Sequence, residues 1–161
     1  MTSFASHRVR PAAPEDTETL LRMFQELAKF EGASVPPRMN AFILQRDVFS
    51  LIPSLRILVA ELPSTNGSSR LIGLISWFTN YSSWEGRQGL HICDLWVEEE
   101  HRGKGVATTL MREVSSICDG RIDVFVIRSN HQAQRFYRSM GYEEEKQWCL
   151  FRRRPASGRL S

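Results

Sequence analysis

Arg102, Gly103, Lys104, Gly105, Val106 and Ala107 join an apolar run to an amphipathic one, and residue types in this order suit the binding of a phosphate. Two glycines let the backbone turn tightly and let a ligand approach it closely. A helix that begins behind them leaves its first amide N–H groups unpaired and carries the positive end of its dipole there. Strand, Gly-Lys-Gly turn and helix start together make a cradle for a phosphate or pyrophosphate. The spacing is not that of a P-loop, which needs G-x-x-x-x-G-K-[ST]. Nor is it the dinucleotide fingerprint, because Thr108 stands where a third glycine is required.

Asn130 and Tyr137 lie seven positions apart, close to two helical turns, so both fall on one helix face. Asn130 can cap that helix or reach a ligand, and Tyr137 can fill space or present a hydroxyl for proton transfer. The spacing alone leaves both readings open. Phe136 and Met140 form a neighbouring stripe expected to pack inward. On an expected strand, His91 and Cys93 share a face while Asp94 points to the other, unless a bulge intervenes. His91 is then a geometric candidate for a base. Glu31 and Glu85 are charged residues on segments that could line a cleft, and Trp84 in a polar loop could wall a cationic ligand.

The elements that must position these residues follow from periodicity and punctuation. A short strand is predicted at residues 8–12, an amphipathic helix at 14–31 behind Pro14, and a shorter helix at 40–49. Residues 55–62 and 71–79 read as a hairpin around PSTNGSS, and a loop at 80–89 leads to a strand at 90–97. A helix is expected from Gly103 onward, with Val106, Ala107, Leu110 and Met111 facing inward. A buried strand at 122–127, a helix from Asn130 to Met140 with Gly141 past its end, and a last strand at 148–152 complete the chain. The order β-α-α-β-β-β-α-β-α-β is that of an α/β sandwich with a mixed sheet.

Composition narrows the function classes. The 161 residues, 42% hydrophobic and 24% charged, suit a single domain, with a core over about 8–154 and a tail at 155–161 that has no reason to be ordered. The net charge of +3 owes much to Arg152, Arg153, Arg154 and Arg159, which lack interleaved aromatics on a shared face, so nucleic acid is not an expected partner. No apolar run approaches a membrane span, and MTSFASHRVR lacks the apolar core of a secretion signal. Cys93, Cys118 and Cys149 are odd in number and far apart, which fits a reducing compartment and points to the cytoplasm. His7, His91, His101 and His131 show no ligand spacing with the cysteines, so no metal site is expected.

The pattern [QR]-x-x-G-x-[GA], here Arg102-x-x-Gly105-x-Ala107 after LWV, resembles the pyrophosphate loop of the GNAT superfamily of N-acetyltransferases. The stretch N-x-x-A-x-x-F-Y-x-x-x-G-Y, from Asn130 to Tyr142, looks like the second half of that family's cofactor site. The resemblance covers roughly residues 8–154 and implies the GNAT fold, with acetyl-CoA as co-substrate and no metal. It implies pantetheine pairing to the backbone at Leu95, Trp96 and Val97, diphosphate binding by residues 102–107, contact from Asn130 to the coenzyme A chain, and Tyr137 as the acid that protonates the departing thiolate. Glu26-Leu27-Ala28-Lys29-Phe30-Glu31 and Trp84…Leu90-His91-Ile92-Cys93-Asp94-Leu95-Trp96-Val97 are similar to motifs of the diamine (spermidine/spermine, thialysine) acetyltransferase branch. That likeness implies a small primary amine as acceptor, held by Glu31, Trp84, Cys93 and Asp94, and a homodimer whose partner segments complete the acceptor site. An aminoglycoside or protein amine, or a non-catalytic acyl-CoA sensor, are the alternative expectations. The branch carries Glu where this chain has Cys93, and a thiol of ordinary pKa cannot supply a carboxylate's negative field.

Overall fold

The computed structural model describes residues 7–63 and 69–154. The described residues divide after Ile127 into two compact units, and each is described by itself. In the first, strand β1 (Arg8–Pro11) leads through a 3₁₀ turn (Pro14–Asp16) into helix α1 (Thr17–Phe30) and then α2 (Ala41–Asp47). Strands β2 (Arg56–Leu62), β3 (Arg70–Ser82) and β4 (Arg87–Val97) follow, then a 3₁₀ turn (Glu99–His101), helix α3 (Val106–Ser116) and β5 (Ile122–Val124). The second unit holds helix α4 (His131–Ser139). The turn expected over PSTNGSS and the tail at 155–161 lie, respectively, largely and wholly outside the described residues.

The strands form one sheet in the order β1-β2-β3-β4-β5, antiparallel throughout except for the parallel pair β4–β5. Leu20, Met23 and Phe24 of α1 and Leu44 of α2 pack with Ile57, Val59, Leu74 and Trp96 on one face of the sheet. Leu74 and Gly73 point to opposite faces, and a Cβ at Gly73 would meet Val106 Cγ1 at 3.3 Å and the Trp96 carbonyl oxygen at 2.8 Å. Helix α3 therefore lies on the other face, with Val106, Leu110, Met111 and Val114 buried against it. Asn40 caps α2 by accepting a hydrogen bond from the Ile43 amide at 3.0 Å.

Several boundaries differ from the sequence reading. The loop expected at 80–89 is mostly strand: Asn80 pairs with Gly89, Tyr81 with Gln88 and Ser82 with Arg87, leaving a tight turn at 83–86. Cross-strand pairing there overrides a polar, glycine-containing composition. The strand expected at 122–127 is short and half-buried, because its ladder with β4 ends at the Ile92–Val124 pair. Helix α3 begins at Val106, not Gly103, since both glycines have positive φ. In α4 the buried residue is Tyr137, while Phe136 and Met140 are half-buried. The strand expected at 148–152 is not formed: Trp148, Leu150 and Phe151 are exposed, and no described strand pairs with them. An apolar pattern permits a strand, but only a ladder partner makes one.

One polar cluster secures the start of the sheet. Arg10 Nη1 donates to Asp16 Oδ2 at 2.7 Å, and Arg10 Nε donates to Glu61 Oε2 at 2.8 Å, with both carboxylates buried. Burial opposes the charge of each carboxylate, yet the Arg10 guanidinium with the Ala13 amide for Asp16, and Ser69 with Arg10 for Glu61, hold both pKa values below the ordinary range. Stability from such lowered pKa values is present above the unfolded-state carboxylate pKa and is lost as pH falls through the folded-state values. Arg10→Met would strand the buried Asp16 carboxylate and leave Glu61 to Arg8 and Ser69, and is expected to cost about 3–5 kcal/mol. Urea titration at neutral pH measures that loss, and the deficit relative to the parent should shrink in acid.

Candidate active site

The glycine turn has the form a phosphate needs. Gly103 (φ +70°) and Gly105 (φ +82°) occupy the left-handed region, and a Cβ built on either meets nothing within 4 Å, so both face open space. Gly105 caps α3 without any side-chain cap, and no acid stands in the helix's first turn. The first helical bond runs from the Thr109 amide to the Gly105 carbonyl at 2.9 Å. The amides of Val106, Ala107 and Thr108 precede it and have no place in the helical ladder. Lys104 is exposed at the turn.

Arg102 is employed differently from its neighbours. Its Nε donates to the Val97 carbonyl at 3.0 Å, and its guanidinium carbon lies 4.7 Å from the Trp96 ring centroid and 5.0 Å from that of Phe30. Its charge is spent on two aromatic faces and the end of β4. The side chain thus ties the turn to α1, and the amides of the loop are left to face a ligand. The Trp96 side chain belongs to the core on the α1 face and that of Val97 is buried, so along β4 these two offer only backbone, while Leu95 is half-buried.

A bulge in β4 arranges the acidic part of the site. Ser76 pairs with Asp94 and Trp77 with Ile92, so Cys93 is an extra residue opposite no partner. The bulge sets Asp94 across from Ser76, whose hydroxyl donates a short hydrogen bond to Asp94 Oδ2, on the face that carries α1. Strict alternation assigned Asp94 to the opposite side from His91; with the extra residue, His91 and Asp94 share a face. Burial pushes the Asp94 pKa up, and the Ser76 bond offsets part of that rise. Glu31, one residue past α1, is also raised, by partial burial and by the charge of Asp94, which brings two carboxylates into one field. Surrounding protein and the Asp94 charge push the Cys93 thiol up to about 11, although one edge of the residue is exposed.

His91 is not aimed at Cys93. Its ring lies between those of Phe78 (5.1 Å) and Phe125 (4.6 Å), and burial lowers its pKa against a weaker opposing effect of Asp123. No thiolate–imidazolium pair is built here. Trp84 is 92% exposed in the turn between β3 and β4. It stands eight residues along the chain from Ser76, roughly 20 Å or more at strand spacing. The chain does not bring Trp84 to Asp94, and Glu85 beside it is likewise exposed in that turn.

In the second unit, Asn130 Oδ1 accepts from the Ala133 amide at 3.0 Å, so this side chain caps α4. Tyr137 is buried, with its ring 5.3 Å from Phe136 and 5.5 Å from Tyr142. Gly141, at φ +87°, ends the helix as its position suggested. Among the described residues no group of three or more His, Cys, Asp and Glu could hold a metal, and no helix is long and apolar enough to cross a membrane.

A thiol held near pKa 11 rather than 9 carries roughly a hundredfold less thiolate at neutral pH. Cys93 is therefore expected to alkylate far more slowly with iodoacetamide at pH 7.5 than a free cysteine does. Peptide-resolved mass spectrometry measures this; labelling of Cys93 at the free-cysteine rate would contradict the environment described.

Residues 20–142 match the model of the acetyltransferase (GNAT) family. The chain is 29% identical over 158 residues to the thialysine N-epsilon-acetyltransferase of Mus musculus, covering 92% of each protein. It is 32% identical over 95 residues to the L-ornithine N5-acetyltransferase of Arabidopsis thaliana, covering 56% of this chain and 42% of that one. Among solved structures, that of a probable acetyltransferase superposes with a TM-score of 0.74 at 21% identity, over 93% of this chain and 99% of the other. The glycine turn after β4, the mixed sheet with helices on both faces and a family match across most of the chain agree: this protein belongs to the GNAT family and is an N-acetyltransferase.

Proposed function

We propose that this enzyme transfers the acetyl group of acetyl-CoA to a primary amine of a small molecule, with Asp94 and Glu31 receiving the cationic nitrogen. The observation that carries this reading is the bulge at Cys93. It turns Asp94 into a field shared with Glu31, on the same strand that runs directly into the glycine turn. Relatives named for thialysine and ornithine support an amine on an amino-acid-like or diamine-like frame.

The residues present fit acetyl-CoA. Two glycines facing open space, three amides outside the helical ladder and an acid-free first turn suit its diphosphate. Gly103, Lys104, Gly105, Val106 and Ala107 would hold that group, with Arg102 positioning the turn from behind. Beyond Ile92 the β5 ladder stops, so backbone groups of β4 toward Leu95 are available for the amides of the carrier chain. When bound, acetyl-CoA supplies the acetyl carbon: a C–N bond forms, the C–S bond breaks, and the sulfur leaves as a thiol.

The chain's own groups supply the proton transfers. An alkylamine is mostly protonated at pH 7, and only its free base has the lone pair that attacks. Asp94, with a raised pKa and Glu31 beside it, is a better proton acceptor than an ordinary carboxylate. Tyr137 would protonate the departing sulfur, and Asn130, whose carbonyl oxygen accepts the cap bond, keeps its amide nitrogen free to donate to the carrier chain. A homodimer belongs to the same reading, since Trp84 at the hairpin tip would wall an acceptor site only from a second copy. Three free cysteines fit a cytoplasmic setting.

Asp94→Asn should lower kcat/KM for the amine by about 10²-fold or more while acetyl-CoA still binds. In the parent, kcat/KM should fall on the acid side at a pH above the ordinary carboxylate range. For an acid whose folded pKa is raised, stability declines as pH rises through the window between unfolded and folded values. The same variant should therefore melt above the parent at neutral pH. Tyr137→Phe should reduce kcat by about 10²-fold with little change in acetyl-CoA affinity. Full turnover by both variants in a thiol-release assay would refute these assignments.

A further inference from the structure

A carboxylate pair recognises the charged end of an acceptor and leaves the rest of it to neighbouring side chains. Phe78 is two residues from Ser76 on β3 and so lies on the same face, about 7 Å farther along. Its Cα partner is His91, and the rings of Phe78, His91 and Phe125 follow one another at 5.1 Å and 4.6 Å. Phe78 and Phe125 are 39% and 62% exposed, so this aromatic row is open at the surface beside Cys93 and Asp94. Burial makes His91, in its middle, harder to protonate, and the Cys93 thiol keeps its proton. The other acid on this face, Asp123, is already engaged: Asn80 Nδ2 donates to it at 3.0 Å and Arg121 Nε lies 3.2 Å from it. Negative charge on this face is thus gathered at one end, and the surface leading away from it is aromatic. Among the described residues of this unit, a second ammonium group along that surface would meet only Asp123, which Arg121 and Asn80 already hold, whereas an apolar body would exchange water for ring faces.

We propose that the preferred acceptor is a monoamine: one primary ammonium group, held by Asp94 and Glu31, on an aromatic or branched aliphatic body that lies against Phe78, His91 and Phe125. This rests on the acetyl-transfer reading above but departs from the diamine-like frame that the relatives' names suggest, since the acceptor carries one charge. The full-length enzyme would be assayed for thiol release with acetyl-CoA and 2-phenylethylamine, 3-methylbutylamine, ethylamine, 1,4-diaminobutane or spermidine. The expected result is a kcat/KM for 2-phenylethylamine at least tenfold above that for 1,4-diaminobutane. Phe125→Ala, a change at an exposed ring that the fold does not need, should lower the ratio of 2-phenylethylamine to ethylamine specificity at least fivefold. Equal or better use of 1,4-diaminobutane, or an unchanged ratio in Phe125→Ala, overturns the proposal. Calorimetry with enzyme saturated by coenzyme A separates the two readings. No thiol release with any amine sinks acetyl transfer itself, and the tighter binder of 2-phenylethylamine and 1,4-diaminobutane then decides the inference on its own.

Discussion

Cys93 is one residue more than β3 can pair with, and the arrangement of side chains on this face depends on that surplus. A regular β4 would send Asp94 into the α3 side of the sheet, where Val106, Leu110 and Met111 leave no water and no partner. The extra residue returns Asp94 to the α1 side, opposite a serine hydroxyl and near Glu31. It also lies just past the point where the ladder with β5 ends. One local irregularity aims the carboxylate beside a free strand edge.

Placing a carboxylate there has a cost to the fold. Asp94 is desolvated and shares its surroundings with a second acid, whereas Asp16 and Glu61 at the other end of the sheet are matched by Arg10. The two acidic groups illustrate opposite uses of burial. Around Arg10 the charges are satisfied and the result is a joint between β1, β2 and the first turn. Around Asp94 the negative charge is left under-compensated, which is what a site for a cation requires. Arg102, although close to this region, does not relieve it, because Phe30, Trp96 and the Val97 carbonyl occupy its guanidinium.

The features legible in the sequence are those with local causes. Gly103 and Gly105 were expected in a turn, Asn130 as one of two readings to cap, and Gly141 past a helix end, and the turn, the cap and the stop are all present. The apolar stripes of α1 and α3 marked their buried faces. What failed depended on partners distant in the chain. Polar residues 80–89 became strand because β3 and β4 extend each other, and the apolar residues at 148–152 did not because nothing described pairs with them. The side of the sheet to which Asp94 belongs turned on a single unpaired residue, which composition cannot reveal. Arg102 was placed among the phosphate-binding residues by motif, yet its side chain turns toward two rings, one of them Phe30 at the end of α1.

Gly73 lies under the first turn of α3, where even a methyl group would collide with the Trp96 carbonyl and crowd Val106. That turn is the one whose amides stand outside the helical ladder and are proposed to hold the diphosphate. A side chain at this buried, uncharged position would tilt the helix end and misdirect donors it never touches. Impaired anion capture would then trace to a residue with no chemical group to lose, and the aim of the loop would be inherited from the absence of an atom behind it.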